Sequence, residues 1–141
     1  MTRRVAALLI VGVLLAGCSS QSPAQALHAW TTQSAFASAV TTLRTDARHA
    51  VTVLDEPRPS PNLLHTVCGV LSVDAGAADG SLPAPDGTAT SLLSTAYSGF
   101  AAGAQDCYVA SDASRRANAV AVIERAVARL AEARARIASI S

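Results

Sequence analysis

Three kinds of side chain in this sequence could take part in metal or group-transfer chemistry. They are three cysteines (Cys18, Cys68, Cys107), three histidines (His28, His49, His65) and three glutamates (Glu56, Glu124, Glu132). A di-metal helical bundle uses Glu-x-x-His pairs, and a zinc peptidase uses two histidines four residues apart. Neither spacing occurs, and no Gly-x-Ser-x-Gly nucleophile motif occurs. We therefore expect no catalytic residue, no metal site and no cofactor.

The first cysteine closes a segment with the layout of a secretion signal. A basic start, Thr2-Arg3-Arg4, precedes apolar residues 5–15, and small residues separate these from Cys18. Counted to Gly17, the apolar segment has 13 residues. As a helix it would span roughly 20 Å, less than the ~30 Å hydrocarbon core of a bilayer. A permanent transmembrane helix is therefore not expected here.

Leu15-Ala16-Gly17-Cys18 resembles the lipobox of bacterial lipoproteins. The Ala-rich, lysine-free composition is similar to that of small lipoproteins from actinobacteria, including mycobacteria. The resemblance implies cleavage of residues 1–17 and a diacylglycerol group on the Cys18 thiol. The alternative is an ordinary secretory signal with an incidental cysteine.

The resemblance also implies a location at the cell membrane, on its extracytoplasmic face. Two acyl chains are enough for stable anchoring. Residues 18–25 would form the lipidated tether and residues 26–141 the folded domain. A short tether, at ~3.3–3.6 Å per residue, keeps that domain within roughly 25 Å of the lipid.

With Cys18 acylated and the chain outside the cytoplasm, Cys68 and Cys107 are predicted to form one disulfide. The bond would close a loop of about 40 residues, for which chain entropy gives roughly 4 kcal/mol of stabilisation. A redox or metal-binding pair is the alternative, but no Cys-x-x-Cys spacing supports it.

Apolar periodicity predicts four helices, at about residues 23–54, 61–75, 88–109 and 111–139. In the first, Phe36, Val40, Leu43 and Ala47 recur at helical spacing. Three alternating prolines between residues 57 and 61, and a Gly- and Pro-containing stretch at 76–87, separate the helices.

No segment alternates with the period of a strand, so we predict an all-α fold: an up-down-up-down four-helix bundle. The disulfide would join the second and third helices. Antiparallel packing of that pair brings Cys68, early in one helix, beside Cys107, late in the next.

The charge distribution gives a candidate interaction surface. All eleven basic residues are arginines, and removal of residues 1–17 leaves nine of them against ten acids, so nucleic acid is not an expected partner. Arg115, Arg125, Arg129 and Arg136 share one face of the predicted last helix. This basic face would contact an envelope protein or anionic lipid headgroups, or would simply face water or the acidic part of the chain.

These features together predict a non-catalytic interaction or accessory protein held at the membrane by its lipid. The second hypothesis is a small-ligand carrier that holds a lipid or haem between its helices. His65, Tyr97 and Tyr108 would then be the candidate haem ligands. Nothing in the sequence predicts an oligomeric state.

Overall fold

The computed structural model describes residues 21–140. The predicted signal peptide and Cys18 lie outside the described residues. The regular structure within residues 21–140 is entirely helical, which confirms the all-α class. The helices are α1 (Pro23–Gln33), α2 (Phe36–Leu54), α3 (Pro61–Asp79), α4 (Gly87–Tyr108) and α5 (Ala113–Ala138).

The prediction of a four-helix bundle is wrong, because the first predicted helix is two helices. Ala35 adopts the left-handed conformation (φ 49°, ψ 38°), which an L-residue adopts only at a cost and which a right-handed helix cannot contain. Just before it, the Ser34 hydroxyl donates to the carbonyl oxygen of Trp30 at 2.7 Å. This bond gives one of the last carbonyl groups of α1 a side-chain donor.

Contacts that are distant in sequence explain the direction that α1 takes after this break. The Trp30 indole N–H donates to the carbonyl oxygen of Ser81 at 3.0 Å, and its ring centroid lies 5.5 Å from that of Phe36. Leu27, one turn earlier, is fully buried. Thus α1 packs at the end of the molecule where α2 begins and α3 ends.

Helix α1 begins inside the predicted tether. Ser22 and Gln25 form a capping box, in which each side chain accepts a hydrogen bond from the backbone N–H of the other. Pro23 occupies the first turn, where its missing N–H costs nothing. Residues 23–25 are therefore helical.

The four longer helices enclose the core. Each packs on the next along the chain, and α5 returns to pack against α2. Helices α4 and α5 are antiparallel, since Gly99 faces Ala126 while Gly103 faces Ile123. The largest fully buried side chains come from all five helices and include Leu27, Leu43, Leu71, Leu93, Tyr97, Phe100, Ile123 and Leu130.

The predicted disulfide between Cys68 and Cys107 is confirmed, with a Cα–Cα distance of 5.8 Å. It joins α3 to α4. These are the second and third predicted helices, whose numbers rise by one because the first predicted helix is two helices. Both cysteines are buried. The bond links the early part of α3 to the late part of α4, so these two helices are antiparallel as expected.

Candidate functional site

The predicted basic face is exposed, but most of its charges are paired. Arg115, Arg125, Arg129 and Arg136 all lie on the exposed surface of α5. Arg115 pairs with Asp112 at 3.5 Å, Arg129 with Glu132 at 2.7 Å, and Arg136 with Asp86 at 2.9 Å. Within residues 21–140, Arg125 is the member of this set without an ion pair. The net positive potential of the face is therefore smaller than the sequence suggests.

A second surface lies between the two helices that the disulfide joins. A groove of about 310 Å³ runs between α3 and α4 and is lined by Cys68, Gly69, Ser72, Val73, Ala104, Gln105 and Tyr108. We call it the α3–α4 groove. None of these side chains is charged. Val73 is 71 % exposed and Tyr108 50 % exposed, although both are large and mainly apolar.

Two further apolar side chains extend this surface along α3. Leu63 and Val70 are also exposed, and with Val73 they follow one another at spacings of seven and three residues, which places them on one side of the helix. A Cβ atom added at Gly69 or Gly76 would meet nothing within 4 Å. This side of α3 is therefore open to a partner, and it was not predicted, because the sequence pattern alone does not distinguish a buried valine from an exposed one.

A larger cleft lies at the opposite end of the molecule from α1. Its volume is about 510 Å³, and its lining consists of Pro57, Arg58, Pro59, Pro61, Leu64, His65, Tyr108, Val109, Ala110, Ser111 and Arg116. We call it the proline cleft. The rings of His65 and Tyr108 stack in it, with centroids 4.1 Å apart and planes 11° from parallel. The sequence predicted that these prolines break a helix and offered both rings as candidate haem ligands, but it did not predict that the rings stack.

Two acidic side chains meet between α2 and α3. Burial and the neighbouring Asp74 carboxyl group raise the pKa of Asp46 from 3.8 to about 6, and the positive charge of His49 opposes this shift. Within residues 21–140, the Oδ2 atom of Asp46 is buried without a hydrogen-bond partner. Proximity of two carboxyl groups disfavours ionisation of both at once.

The candidate haem ligands do not occupy one place. Tyr97 is buried in the core on α4, where burial and the charge of Asp79 raise its pKa to about 12. Tyr108 and His65 instead stack at the end cleft. Among the described residues, no three His, Cys, Asp or Glu side chains are grouped closely enough to hold a metal ion.

The interior between α4 and α5 is closely packed. A Cβ atom added at Gly103 would lie 2.6 Å from the Cγ1 atom of Ile123, and one added at Gly99 would lie 3.0 Å from the Cβ atom of Ala126. The two glycines thus allow the backbones of α4 and α5 to approach closely. The α3–α4 groove and the proline cleft both include exposed residues and open at the surface.

Comparison of the chain with protein-family models, with curated proteins and with solved structures found no significant match. In the part of the chain that the structure describes, no helix has the length and apolar character needed to cross a bilayer.

Proposed function

We propose that this protein is a lipid-anchored component of the cell envelope that acts by binding another protein beside the membrane. The anchor is the diacylglycerol that the lipobox resemblance assigns to Cys18. Because α1 begins at Pro23, the segment between the acylated residue and the folded part has only a few residues. A partner of the folded part would therefore lie at or near the membrane surface.

The α3–α4 groove and its exposed apolar side chains are the main support for binding of another protein. Apolar side chains grouped on one side of a helix, beside an uncharged groove, are typical of surfaces that bind an apolar or amphipathic helix. The disulfide beneath the groove holds its two walls together. The basic face on α5 is the alternative contact surface, through Arg125 in particular.

The second function, a carrier of lipid or haem inside the bundle, has less support. Close contacts at Gly99 and Gly103 leave no room for such a ligand at these points of the seam between α4 and α5. Binding of a protein at the surface needs no opening of this seam. We therefore favour the interaction protein.

The anchor is tested by mass spectrometry of the protein from a bacterium that processes lipoproteins. The expected result is a mature chain that begins at Cys18 and carries a diacylglycerol, with a Cys18→Ser variant lacking the lipid and released from membranes. An unmodified N-terminus in the wild-type protein would contradict the anchor.

The docking surface is tested by crosslinking in intact cells. A Val73→Glu variant places a charge at the α3–α4 groove, and Ala37→Glu places one at an exposed position of α2, away from the groove and from α5, as its matched control. We expect crosslinked partners to be lost only with Val73→Glu. Loss only with a double Arg125→Glu, Arg129→Glu variant would move the contact to the basic face. Retention of every crosslink in all three variants would contradict a role for either surface.

A further inference from the structure

We propose that the proline cleft binds a small organic anion: a carboxylate or phosphate group attached to a planar, apolar body. Among the described lining residues this cleft shares only Tyr108 with the α3–α4 groove, and the proposal does not depend on the function proposed for the groove. The proposal rests on the shape of the cleft, on two arginines that have no partner within residues 21–140 and on a stacked pair of rings.

The shape of the cleft suits a small ligand. Its volume of about 510 Å³ falls within the range of ~300–1,000 Å³ that is usual for ligand sites. One wall is formed by Pro57, Pro59 and Pro61, whose rings restrict the backbone and leave it little freedom to lose on binding. Since α1 packs at the other end of the bundle, it does not cover this cleft.

The charge of the cleft favours an anion. Arg58, from the α2–α3 connection, and Arg116, from α5, both line it, and none of the described residues that line it is acidic. Within residues 21–140, neither guanidinium group has a hydrogen bond or an ion pair. Asp112, at the start of α5, is already paired with Arg115. Guanidinium groups bind carboxylates and phosphates through two parallel hydrogen bonds.

The rings of the cleft favour a planar body on that anion. Tyr108 is half-exposed despite its size, and His65 stacks on it in parallel at 4.1 Å. Aromatic rings stack readily on further planar groups in an offset arrangement. Leu64 and Val109 add apolar surface beside the rings. A bare inorganic anion would use the arginines but none of this surface.

The test uses the full-length protein in a non-ionic detergent and follows the arginine, histidine and tyrosine side-chain signals by NMR. The probe is 2-naphthoate, and its neutral amide, 2-naphthamide, is the matched control. We expect naphthoate to shift the signals of Arg58, His65, Tyr108 and Arg116. We expect naphthamide and inorganic phosphate each to bind about tenfold more weakly.

Two variants test whether the binding depends on the arginines of the cleft or on any exposed arginines. An Arg58→Gln, Arg116→Gln variant should raise the Kd for naphthoate about tenfold. An Arg125→Gln, Arg134→Gln variant, which removes two exposed arginines outside the cleft, should leave the Kd unchanged. Any of four results would overturn the proposal. The first two are that the amide, or inorganic phosphate, binds as tightly as naphthoate. The others are that the Arg58→Gln, Arg116→Gln variant binds naphthoate as tightly as the wild type, or that no signal shifts up to about 10 mM naphthoate.

Discussion

Arg136, near the end of α5, binds the carboxylate of Asp86 through both Nε, at 3.1 Å, and Nη2, at 2.9 Å. Asp86 is also the N-cap of α4, where its Oδ1 atom accepts a hydrogen bond from the backbone N–H of Ala89 at 2.7 Å. One carboxylate therefore caps one helix and holds the end of another.

This arrangement predicts acid-dependent stability. The Arg136 guanidinium, and then the Ala89 N–H, lower the pKa of Asp86 below 3.8. A lowered pKa in the folded state gives stability that is complete above the unfolded value and is lost as the pH falls through the folded value.

An Asp86→Asn variant keeps a good N-cap residue and removes the charge. It should be less stable than the wild type at neutral pH and should lose less stability in acid. Urea unfolding from about pH 7 to about pH 2 measures both effects. Parallel curves for the two proteins over that range would contradict the role of this pair.

The raised pKa of Asp46 predicts that stability depends on pH in the opposite direction to that expected from Asp86. The pKa of Asp46 is about 6 in the folded protein, against the ordinary aspartate value of 3.8 in the unfolded chain, so the folded state binds more protons between these values. Stability should therefore fall as the pH rises from about 4 to about 6. An Asp46→Asn variant should lack this fall and be more stable at neutral pH by about 1 kcal/mol, after allowance for solvent screening. Urea unfolding at several pH values tests this, and an Asp46→Asn protein that is less stable at pH 7 would contradict it.

The close approach of α4 and α5 predicts contrasting effects of alanine at two helical glycines. Gly103→Ala would force its Cβ atom against Ile123, and we expect a loss of about 1–3 kcal/mol. Gly76→Ala, on α3, meets open space and should stabilise by about 0.5–1 kcal/mol through better helix propensity. Thermal unfolding of both variants measures the contrast. Similar stabilities for the two would show that the α4–α5 seam can relax.

The hydroxyl of Tyr97 predicts a stabilising substitution. Within residues 21–140 it is buried without a hydrogen-bond partner, and a buried, unpaired polar group costs about 1–3 kcal/mol. Tyr97→Phe retains the ring that fills the core and removes that group. We expect a gain of about 1 kcal/mol in the free energy of unfolding. A clear loss would show that the hydroxyl has a partner, such as a buried water.

The Cys68–Cys107 bond predicts a large effect of reduction. The cysteines are 39 residues apart in sequence, and the loop that the bond closes corresponds to about 4 kcal/mol by chain entropy. Urea unfolding with and without a reductant should show a fall of about this size. A Cys68→Ala, Cys107→Ala variant should be unaffected by the reductant, which controls for its effects elsewhere. An unchanged unfolding midpoint in the reduced wild type would contradict a stabilising role.

Local chemistry in the sequence predicted most of the helix ends. Prolines 57, 59 and 61 separate α2 from α3 as predicted, because their effect depends only on neighbours along the chain. The predicted starts of the last two helices, at about residues 88 and 111, lie within two residues of the observed ones, although the cap formed by Asp86 was not predicted. The end of α3 was placed too early, at residue 75 instead of Asp79. Gly76 lowers helix propensity, but the packing of Ala75 and Ala78 in the core outweighs that cost.

The sequence by itself determined the helical class and the partnership of Cys68 with Cys107, since apolar periodicity and residue type record these directly. Only the tertiary structure decided the break at Ala35, the pairing of Arg136 with Asp86 and the placement of Arg58 and Arg116 in one cleft. The reason is that each depends on contacts across long separations, such as the 51 residues between Trp30 and Ser81 or the 50 between Asp86 and Arg136. The apolar pattern of residues 23–54 continues unchanged through the break between α1 and α2, so it cannot predict that break. Nor does the pattern indicate which arginine forms an ion pair with a carboxylate.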